Sequence, residues 1–420
     1  MKTRCSFCLL LFVLTFCQST VLASGLQLHL LAQRQAAMGQ AGTALVRDAS
    51  ISFYNPGGLG FVSKQGSLQF GTTLITPSTA FQGQWPSIYQ SQTEFVLMTP
   101  INAYASWRGK SNGRFEKISF GFSINNPFAN GIRWPDDWKG RFISQEFSVN
   151  TFIAQPTVSY KFSDEVGIGV GLMYGFGNLV SRRALSVDGI NGSEGFARFS
   201  GTGEGVGANV GVFFRPGADF SIGMNYRTRL FLSVKEGLAQ FNVPESFSEQ
   251  YPDMGFQTQL KLPWVFNLGV SIRPEDRFLA TVDVDYTGWQ VLDSLKIDLD
   301  QPISQIDLYP AREFIRTISF RIGGEYILTE KIFVRGGAYY DPSPIRQGQV
   351  SPDLPDANRI GLTTGLGFQL NPRLSVDLSY VYEFTGERTV SFNAGAFGGT
   401  YETTVSSVGL GLFLAFGEES

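Results

Sequence analysis

The side chains that most enzymes use for acid–base or nucleophilic chemistry are scarce in this chain of 420 residues. Its single histidine is His29, and its three cysteines are Cys5, Cys8 and Cys17. A histidine base on a later strand or loop, or a His/Cys metal cluster, therefore cannot be assembled. No nucleotide-binding motif is present. The sequence predicts no enzyme activity, no metal and no other cofactor, and His29 is expected to be a hydrogen-bonded packing residue.

The cysteines lie in a segment with the pattern of a secretory signal peptide. Two basic residues precede an apolar run from Phe7 to Phe16, and Val21-Leu22-Ala23 supplies a cleavage site. We expect residues 1–23 to be removed, which leaves a mature chain without disulfides or thiolate ligands. A lipoprotein cleavage box at Leu14-Thr15-Phe16-Cys17 is the alternative, although the bulky Phe16 argues against it.

The overall composition excludes several classes of protein. Charged residues make up 16% of the chain and aromatic residues 14%, which excludes a disordered tail or a coiled coil. After the signal peptide, no apolar run approaches the roughly 18 residues of a membrane-spanning helix. The net charge is −3 and no basic block occurs, so a nucleic-acid partner is not expected.

From residue 65 onward, about fourteen segments of roughly 10–15 residues alternate apolar and polar side chains, the mark of strands with two different faces. The segment from Leu374 to Thr385 is the cleanest. Its apolar face consists of Leu374, Val376, Leu378, Tyr380, Tyr382 and Phe384.

Short and long links alternate between these segments. The short links, such as 162–165 and 370–373, are rich in turn residues, whereas the long ones include 187–202 and 236–257. This alternation is typical of an outer-membrane barrel with periplasmic turns and extracellular loops. A secreted β-sandwich or propeller is the alternative, but its strands average only about 5–6 residues.

The sequence therefore predicts an all-β protein, a transmembrane antiparallel β-barrel of about 14 strands over residues 65–420, in the bacterial outer membrane. A lumen of this width needs water or a plug to fill it. Residues 24–64 are rich in alanine and glycine and do not alternate. We expect them to form a hatch in the lumen, with a periplasmic tail as the alternative.

Several motifs resemble those of the long-chain fatty acid and aromatic hydrocarbon outer-membrane transporter family. Gly25-Leu26-Gln27-Leu28 and Asn55-Pro56-Gly57-Gly58-Leu59 match its N-terminal plug. Three further matches are Trp134-Pro135-Asp136-Asp137-Trp138, Asp283-Val284-Asp285-Tyr286-Thr287-Gly288-Trp289 and Leu354-Pro355-Asp356-Ala357-Asn358-Arg359. The resemblance implies a monomeric barrel whose loops capture hydrophobic molecules, and a lateral exit through a kinked strand beside the hatch.

The resemblance also implies a gate in the hatch and departs from the family at two points. The gate residues are Gly25, Leu26, Asn55, Pro56 and Gly57. Gly57 replaces the usual alanine and is expected to loosen the turn slightly. The chain continues for four residues after Phe416, where these barrels usually end on an aromatic residue.

A ligand needs apolar contacts and, if it is a fatty acid, a cation. In the loop 236–257 the apolar candidates are Phe241, Phe247, Met254 and Phe256, although the loop can instead pack on the barrel rim or on lipopolysaccharide. Arg227, Arg229 and Arg321 are expected to face the lumen. The alternative for these cations is a ladder of ion pairs with Asp283, Asp285, Glu325, Asp377 and Glu383.

The lateral opening is expected near 124–131, where proline removes a ladder donor. Its candidate residues are Asn126, Pro127, Phe128 and Gly131. An ordinary extracellular loop could begin here instead.

These features favour an outer-membrane transporter of hydrophobic small molecules, most plausibly long-chain fatty acids, that works by passive diffusion. A general diffusion porin and a structural barrel or adhesin are the alternatives. The expected partners are the hydrophobic ligand, outer-membrane lipid and lipopolysaccharide, and the barrel-assembly machinery.

Overall fold

The computed structural model describes residues 25–28, 30–109, 115–187, 193–292, 295–301, 303, 313–346, 348–391 and 397–419. The predictions for the signal peptide and for His29 lie outside these residues. Within the described ranges, no helix has the length and apolar character needed to cross a membrane.

Residues 25–63, here called the N-terminal segment, contain only short helices. They are α1 (Gln33–Ala36), α2 (Ile51–Tyr54) and the 3-10 helix η1 (Pro56–Phe61). Most of their side chains are buried, including small residues such as Ala32, Ala36 and Ala41. Small side chains allow the segment to approach the surrounding backbone closely.

The remaining chain forms one antiparallel sheet of twenty strands. The strands are β1 (Lys64–Gly83), β2 (Gln90–Gln92), β3 (Ile101–Arg108), β4 (Ile118–Asn125), β5 (Ala129–Arg133), β6 (Glu146–Lys161), β7 (Val166–Ser186), β8 (Glu194–Gly217), β9 (Phe220–Arg227), β10 (Leu230–Asn242), β11 (Met254–Leu262), β12 (Val265–Glu275), β13 (Phe278–Thr287), β14 (Ile297–Leu299), β15 (Thr317–Thr329), β16 (Ile332–Asp341), β17 (Arg359–Asn371), β18 (Leu374–Thr385), β19 (Arg388–Ser391) and β20 (Gly398–Glu419). Two further 3-10 helices are η2 (Glu245–Phe247) and η3 (Trp289–Val291).

The sheet closes because β1 pairs with β20 along almost its whole length, from Lys64 with Glu419 to Gly83 with Gly399. Several short strands continue the line of a neighbour, as β5 does for β4, so the wall has 14 strand positions. Closure between β1 and β20 removes the two edges that an open sheet would present to lipid. The predicted all-β barrel of about 14 strands is confirmed.

Burial in the wall is inverted relative to a soluble protein. Large apolar side chains on alternate positions are exposed, as Leu172 (62%), Ile322 (57%) and Leu362 (53%) show. The positions between them are buried and mostly polar or glycine, for example Asn209 and Thr281. An apolar exterior matches lipid, and a polar interior matches the lumen.

One expected loop is largely strand. The segment 236–257 was predicted as a long loop, but β10 runs to Asn242 and β11 begins at Met254. The two strands pair up to Ala239 with Met254. The hairpin therefore continues the wall beyond the apolar belt, and only residues 243–253 connect its strands.

The exposed apolar belt predicts that a charged substitution destabilises the barrel most at the middle of the membrane. Leu172→Arg, at the middle of the belt on β7, should lower the free energy of unfolding in lipid vesicles by about 2–4 kcal/mol. Asn178→Arg, an exposed position beyond Phe176 on the same strand, should change it by less than about 1 kcal/mol. Urea titration measures both, and equal effects would contradict a membrane-embedded belt.

Candidate functional site

The N-terminal segment is bound to the inner wall by hydrogen bonds from several strands. The backbone amides of Gly42 and Thr43 both donate to Oδ2 of Asp283 at 2.8 Å. The Tyr104 hydroxyl donates to the carbonyl of Leu31 at 2.6 Å. These contacts satisfy backbone groups of a segment that has little secondary structure of its own.

The Asn55-Pro56-Gly57 turn approaches the wall closely. The Asn55 amide donates to the carbonyls of Thr43 and Val212, both at 3.0 Å, and its Oδ1 accepts from Gly57 N–H at 3.1 Å. A Cβ on Gly57 would lie 2.8 Å from the carbonyl oxygen of Gly211. Gly57 therefore permits close contact with β8, which the expectation of a looser turn did not anticipate.

Two buried arginines cross-link the inner wall. Arg321 donates to Asp285 at 2.6 Å, to Asp341 at 2.7 Å and to Gln40 of the N-terminal segment at 3.0 Å. The ion pairs that the sequence offered as the alternative role for Arg321 are thus present. With two carboxylates already bound, this guanidinium is engaged in holding the wall and the N-terminal segment together.

The second arginine, Arg335, was not predicted. It pairs with Glu325 at 2.7 Å and with Asp377 at 2.5 Å, and Arg34 of the N-terminal segment lies 3.7 Å from Glu325. The signal was available, because Arg335 occupies an inward position in the alternation of β16. Buried charges need such partners, so these pairs fix the register of neighbouring side chains.

A cavity, here called the lumen cavity, lies inside the barrel beside the N-terminal segment. Its apolar lining includes Leu28, Leu31, Phe53, Ile153, Met173 and Leu230. Arg227 also lines it, with its guanidinium 4.8 Å above the Phe53 ring and 3.4 Å from the Phe53 carbonyl. Among the described residues, no carboxylate lies within ion-pair distance of Arg227, unlike Arg321 and Arg335. The cavity therefore combines apolar walls with a cation that makes no direct ion pair among the described residues, although the carboxylates of Asp283 and Asp285 also line it.

The wall is interrupted between β4 and β5, at residues 126–128. Pro127 has no N–H to donate, and Asn126 replaces backbone bonds with its side chain. Its Oδ1 accepts from the amide of Ile101, and its Nδ2 donates to the carbonyl of Thr151, both at 3.0 Å. This strand break lies within residues 124–131, the range in which the lateral opening is expected.

The N-terminal segment pairs with the broken strand. Leu28 N–H donates to the Pro127 carbonyl at 2.9 Å, and Ala129 N–H donates to the Leu26 carbonyl at 3.0 Å. Gln27 and Phe128 face each other as an antiparallel bridge. Residues 26–28 thus form a short strand that satisfies groups which the interrupted ladder leaves open.

A second cavity lies on the other side of this short strand. It extends to the wall, where Val96 and Met98 face Ala129 and Ile132. In the described chain, no backbone hydrogen bond joins residues 95–100 to residues 127–132. Gln27 and Leu28 line both cavities, so residues 26–28 separate the lumen cavity from the gap in the wall.

The family profile described as "Outer membrane protein transport protein (OMPP1/FadL/TodX)" matches residues 14–416. This chain belongs to that family. It is therefore a member of an outer-membrane transport family and not of an enzyme family, as expected.

Individual relatives are distant in sequence and close in structure. The chain is 21% identical over 299 residues to a long-chain fatty acid transport protein of Escherichia coli O6:H1, covering 64% of this chain and 66% of the relative, just under two thirds. A Pseudomonas aeruginosa FadL homologue shares its fold with a TM-score of 0.83 and 17% identity, over 94% of this chain and all of that one. The Pseudomonas putida toluene transporter TodX has a TM-score of 0.70 and 13% identity, over 92% and 99% of the two chains.

In this family member, the predicted capture residues form a second apolar cluster outside the lumen cavity. Phe256 is 1% exposed and packs edge-to-face on Phe199, with ring centroids 5.8 Å apart. Phe241, Phe247 and Met254 are partly buried at the edge of this cluster. The structure thus brings all four together, with Phe256 as the packed base and the other three accessible.

The remaining predicted residues are distributed between the wall and the segment. Gly25 has a positive φ of 58°, and a Cβ there would lie 3.0 Å from the Trp289 ring. Gly131 lies at the gap, 3.2 Å from Val96 by the same measure. Arg229, expected beside Arg227, is exposed and stacks on Phe231, since residues 228–229 interrupt the alternation between β9 and β10.

The packing of η1 predicts that substitution by alanine destabilises the protein at one of its glycines and not at another. Gly57→Ala should lower the free energy of unfolding by about 1–3 kcal/mol, because its methyl group meets the backbone of β8. Gly60→Ala should change it little, since its methyl group would meet Lys161 Cβ at an ordinary 3.4 Å. Thermal unfolding in detergent compares the variants, and equal stability would contradict the tight approach at Gly57.

Proposed function

We propose that this family member takes up long-chain fatty acids and releases them sideways into the membrane by passive diffusion. The observation that carries the proposal is the partition formed by residues 26–28 between the lumen cavity and the wall gap. A ligand in the lumen reaches the gap only when this partition moves. The N-terminal segment then acts as a hatch, and no energy source beyond the ligand gradient is needed.

The lining of the lumen cavity supports an acyl chain with a carboxylate. Each methylene buried against the apolar lining contributes about 0.8 kcal/mol, which favours long chains over sugars. Arg227 offers a guanidinium with the geometry to bind a carboxylate through two hydrogen bonds. A hydrocarbon has no group that would use this cation, so the fatty acid is the better match of the two ligand classes.

The path begins outside the lumen. Phe241, Phe247 and Met254 present apolar surface at the edge of the outer cluster, where a ligand leaves water. It next occupies the lumen cavity beside Arg227. A shift of residues 25–31 then joins the two cavities, and the ligand leaves between residues 95–100 and 127–132. Apolar side chains on both sides of this gap, such as Val96 and Ile132, suit contact with lipid.

The porin and adhesin alternatives lack comparable support. A general porin needs an open aqueous lumen, whereas the buried N-terminal segment occupies much of this one. A structural barrel or adhesin needs neither a partition nor a wall gap. Two relatives also support transport: one is named for long-chain fatty acids, another for toluene.

A reversible disulfide cross-link, here called the Gln27–Phe128 lock, tests whether the partition must move for transport. Gln27→Cys with Phe128→Cys places two thiols directly opposite in the bridge, within reach of a disulfide. Oxidation should abolish fatty acid uptake into proteoliposomes, and a reductant should restore it, because the closed position cannot open while cross-linked. The other cysteines all lie within residues 1–23, so no competing thiol is expected in the mature chain.

The matched control is Gln82→Cys with Gln90→Cys, which joins β1 to β2 at directly paired positions away from the N-terminal segment. Uptake through this variant should be the same under oxidising and reducing conditions. If the Gln27–Phe128 lock leaves uptake unchanged, the partition is not a gate.

Arg227→Gln tests the choice of ligand. Loss of a charged hydrogen-bond partner should weaken the binding of a long-chain fatty acid about ten- to a hundredfold. Binding of the corresponding long-chain alcohol should change little. Calorimetric titration measures both dissociation constants.

Arg229→Gln removes an equal charge two residues away and should leave both affinities unchanged, since Arg229 is exposed and does not line the lumen cavity. Equal weakening of acid and alcohol by Arg227→Gln would assign Arg227 a packing role and remove the support for a carboxylate ligand.

A further inference from the structure

The first described residue of the N-terminal segment, Gly25, is bound at both its peptide groups by one short stretch of the barrel. Its N–H donates to Oδ2 of Asp356 at 3.3 Å. Its carbonyl accepts from Nη2 of Arg359 at 3.2 Å. Asp356 lies in the link before β17, and Arg359 begins that strand. Together they bind the residue that immediately precedes the partition.

The two side chains are fixed by contacts that do not involve Gly25. Arg359 lies 3.3 Å from Oδ1 of Asp356 and 3.7 Å from Glu383, and Ser343 donates to Oδ2 of Asp356 at 2.9 Å. Arg388 donates to the backbone carbonyl of Asp356 at 2.9 Å. The binding site for Gly25 is therefore preformed. Gly25 can bind or leave without breaking the contacts that hold Asp356 and Arg359.

The charge around Arg359 separates its role from that of Arg227. Arg359 faces two carboxylates, those of Asp356 and Glu383, so direct partners already occupy its guanidinium. A ligand carboxylate would be repelled here by Asp356 and Glu383. Burial raises the pKa of Asp356, while Arg359, Ser343 and the Gly25 amide oppose that shift. Arg359 is thus suited to holding a neutral peptide group.

The partition is tethered on both sides. Gly25 is held by Asp356 and Arg359, and Leu31 is held by the Tyr104 hydroxyl. Successive Cα atoms are only about 3.8 Å apart, so the two tethers limit how far residues 26–28 can move from the broken strand. Both Gly25 contacts exceed the usual N–H···O distance of about 2.9–3.0 Å, which makes this the weaker tether.

We propose that Asp356 and Arg359 are positioning residues that act as the latch of the hatch: they hold Gly25, and release of Gly25 opens the partition. This inference rests on the proposed function, because it explains what keeps the partition closed until a ligand passes. The latch sets the fraction of molecules in which the lumen cavity and the wall gap are connected.

The test measures partition opening directly. Leu28→Cys places a reporter thiol in the partition of the full-length protein, and a charged methanethiosulfonate reagent modifies it when it is exposed. Arg359→Gln and Asp356→Asn should each raise the modification rate about ten- to a hundredfold, as loss of a charged hydrogen-bond partner implies. The double variant should add little, because both residues hold the same Gly25.

Arg346→Gln is the matched control. It removes a cation from the same link between β16 and β17, where Arg346 forms an exposed ion pair with Glu313 at 2.9 Å, and it should leave the rate unchanged. A second reporter, Leu45→Cys, lies at the buried far end of the N-terminal segment. Its rate should not rise in the latch variants.

Unchanged reactivity of the partition reporter, Leu28→Cys, in both latch variants overturns the latch. An equal rise at this reporter and at the far-end reporter, Leu45→Cys, also overturns it, because the variants would then loosen the whole segment. Fatty acid uptake separates the two proposals. Faster modification of the partition reporter alone, without any change in uptake, supports the latch and contradicts the hatch as the step that controls transport.

Discussion

Every backbone amide inside a bilayer must find a partner within the protein, and this requirement explains the position of the N-terminal segment. Closure between β1 and β20 meets the requirement around the barrel. The break between β4 and β5 opposes it, because Pro127 and Ala129 lose their ladder partners there. Asn126 replaces some of the missing bonds with its side-chain amide, and residues 26–28 supply others. The wall and the plug are therefore one hydrogen-bonding system.

That coupling divides the arginines of the lumen into two groups. Arg321 and Arg335 each hold two carboxylates and are buried, so removal of either would leave uncompensated charge and destabilise the wall. Arg227 has no carboxylate within ion-pair distance among the described residues and lines the lumen cavity. Position in the alternation alone does not distinguish these roles. Only the neighbouring strands decide which cation is neutralised.

Features set by the alternation along one strand could be predicted from the sequence, whereas features set by contacts between distant strands could not. The barrel was predictable because lipid and lumen impose opposite polarity on successive residues of every strand, as in Leu374–Thr385. The break at Pro127 was also predictable, since proline has no backbone N–H to donate to the hydrogen bonds between strands. The segment 236–257 is predicted as a loop, but it contains the ends of β10 and β11. In the structure those residues pack on a second cluster around Phe199 and Phe256, so the two-faced pattern is lost where lipid no longer covers the strand. The close approach of Gly57 to Gly211 depends on contacts between residues about 150 positions apart in the chain, which a local pattern does not encode.

The long seam between β1 and β20 has a consequence for how the barrel is made. One partner is the first strand synthesised and the other is the last, and their register runs from Lys64 with Glu419 to Gly83 with Gly399. A polypeptide released early from the ribosome would leave β1 and β18 with unpaired rims. Such a truncated product would be a template for aggregation in the periplasm and a substrate for its proteases. Completion of the cylinder thus requires both strands of the seam, and loss of either one reopens the wall.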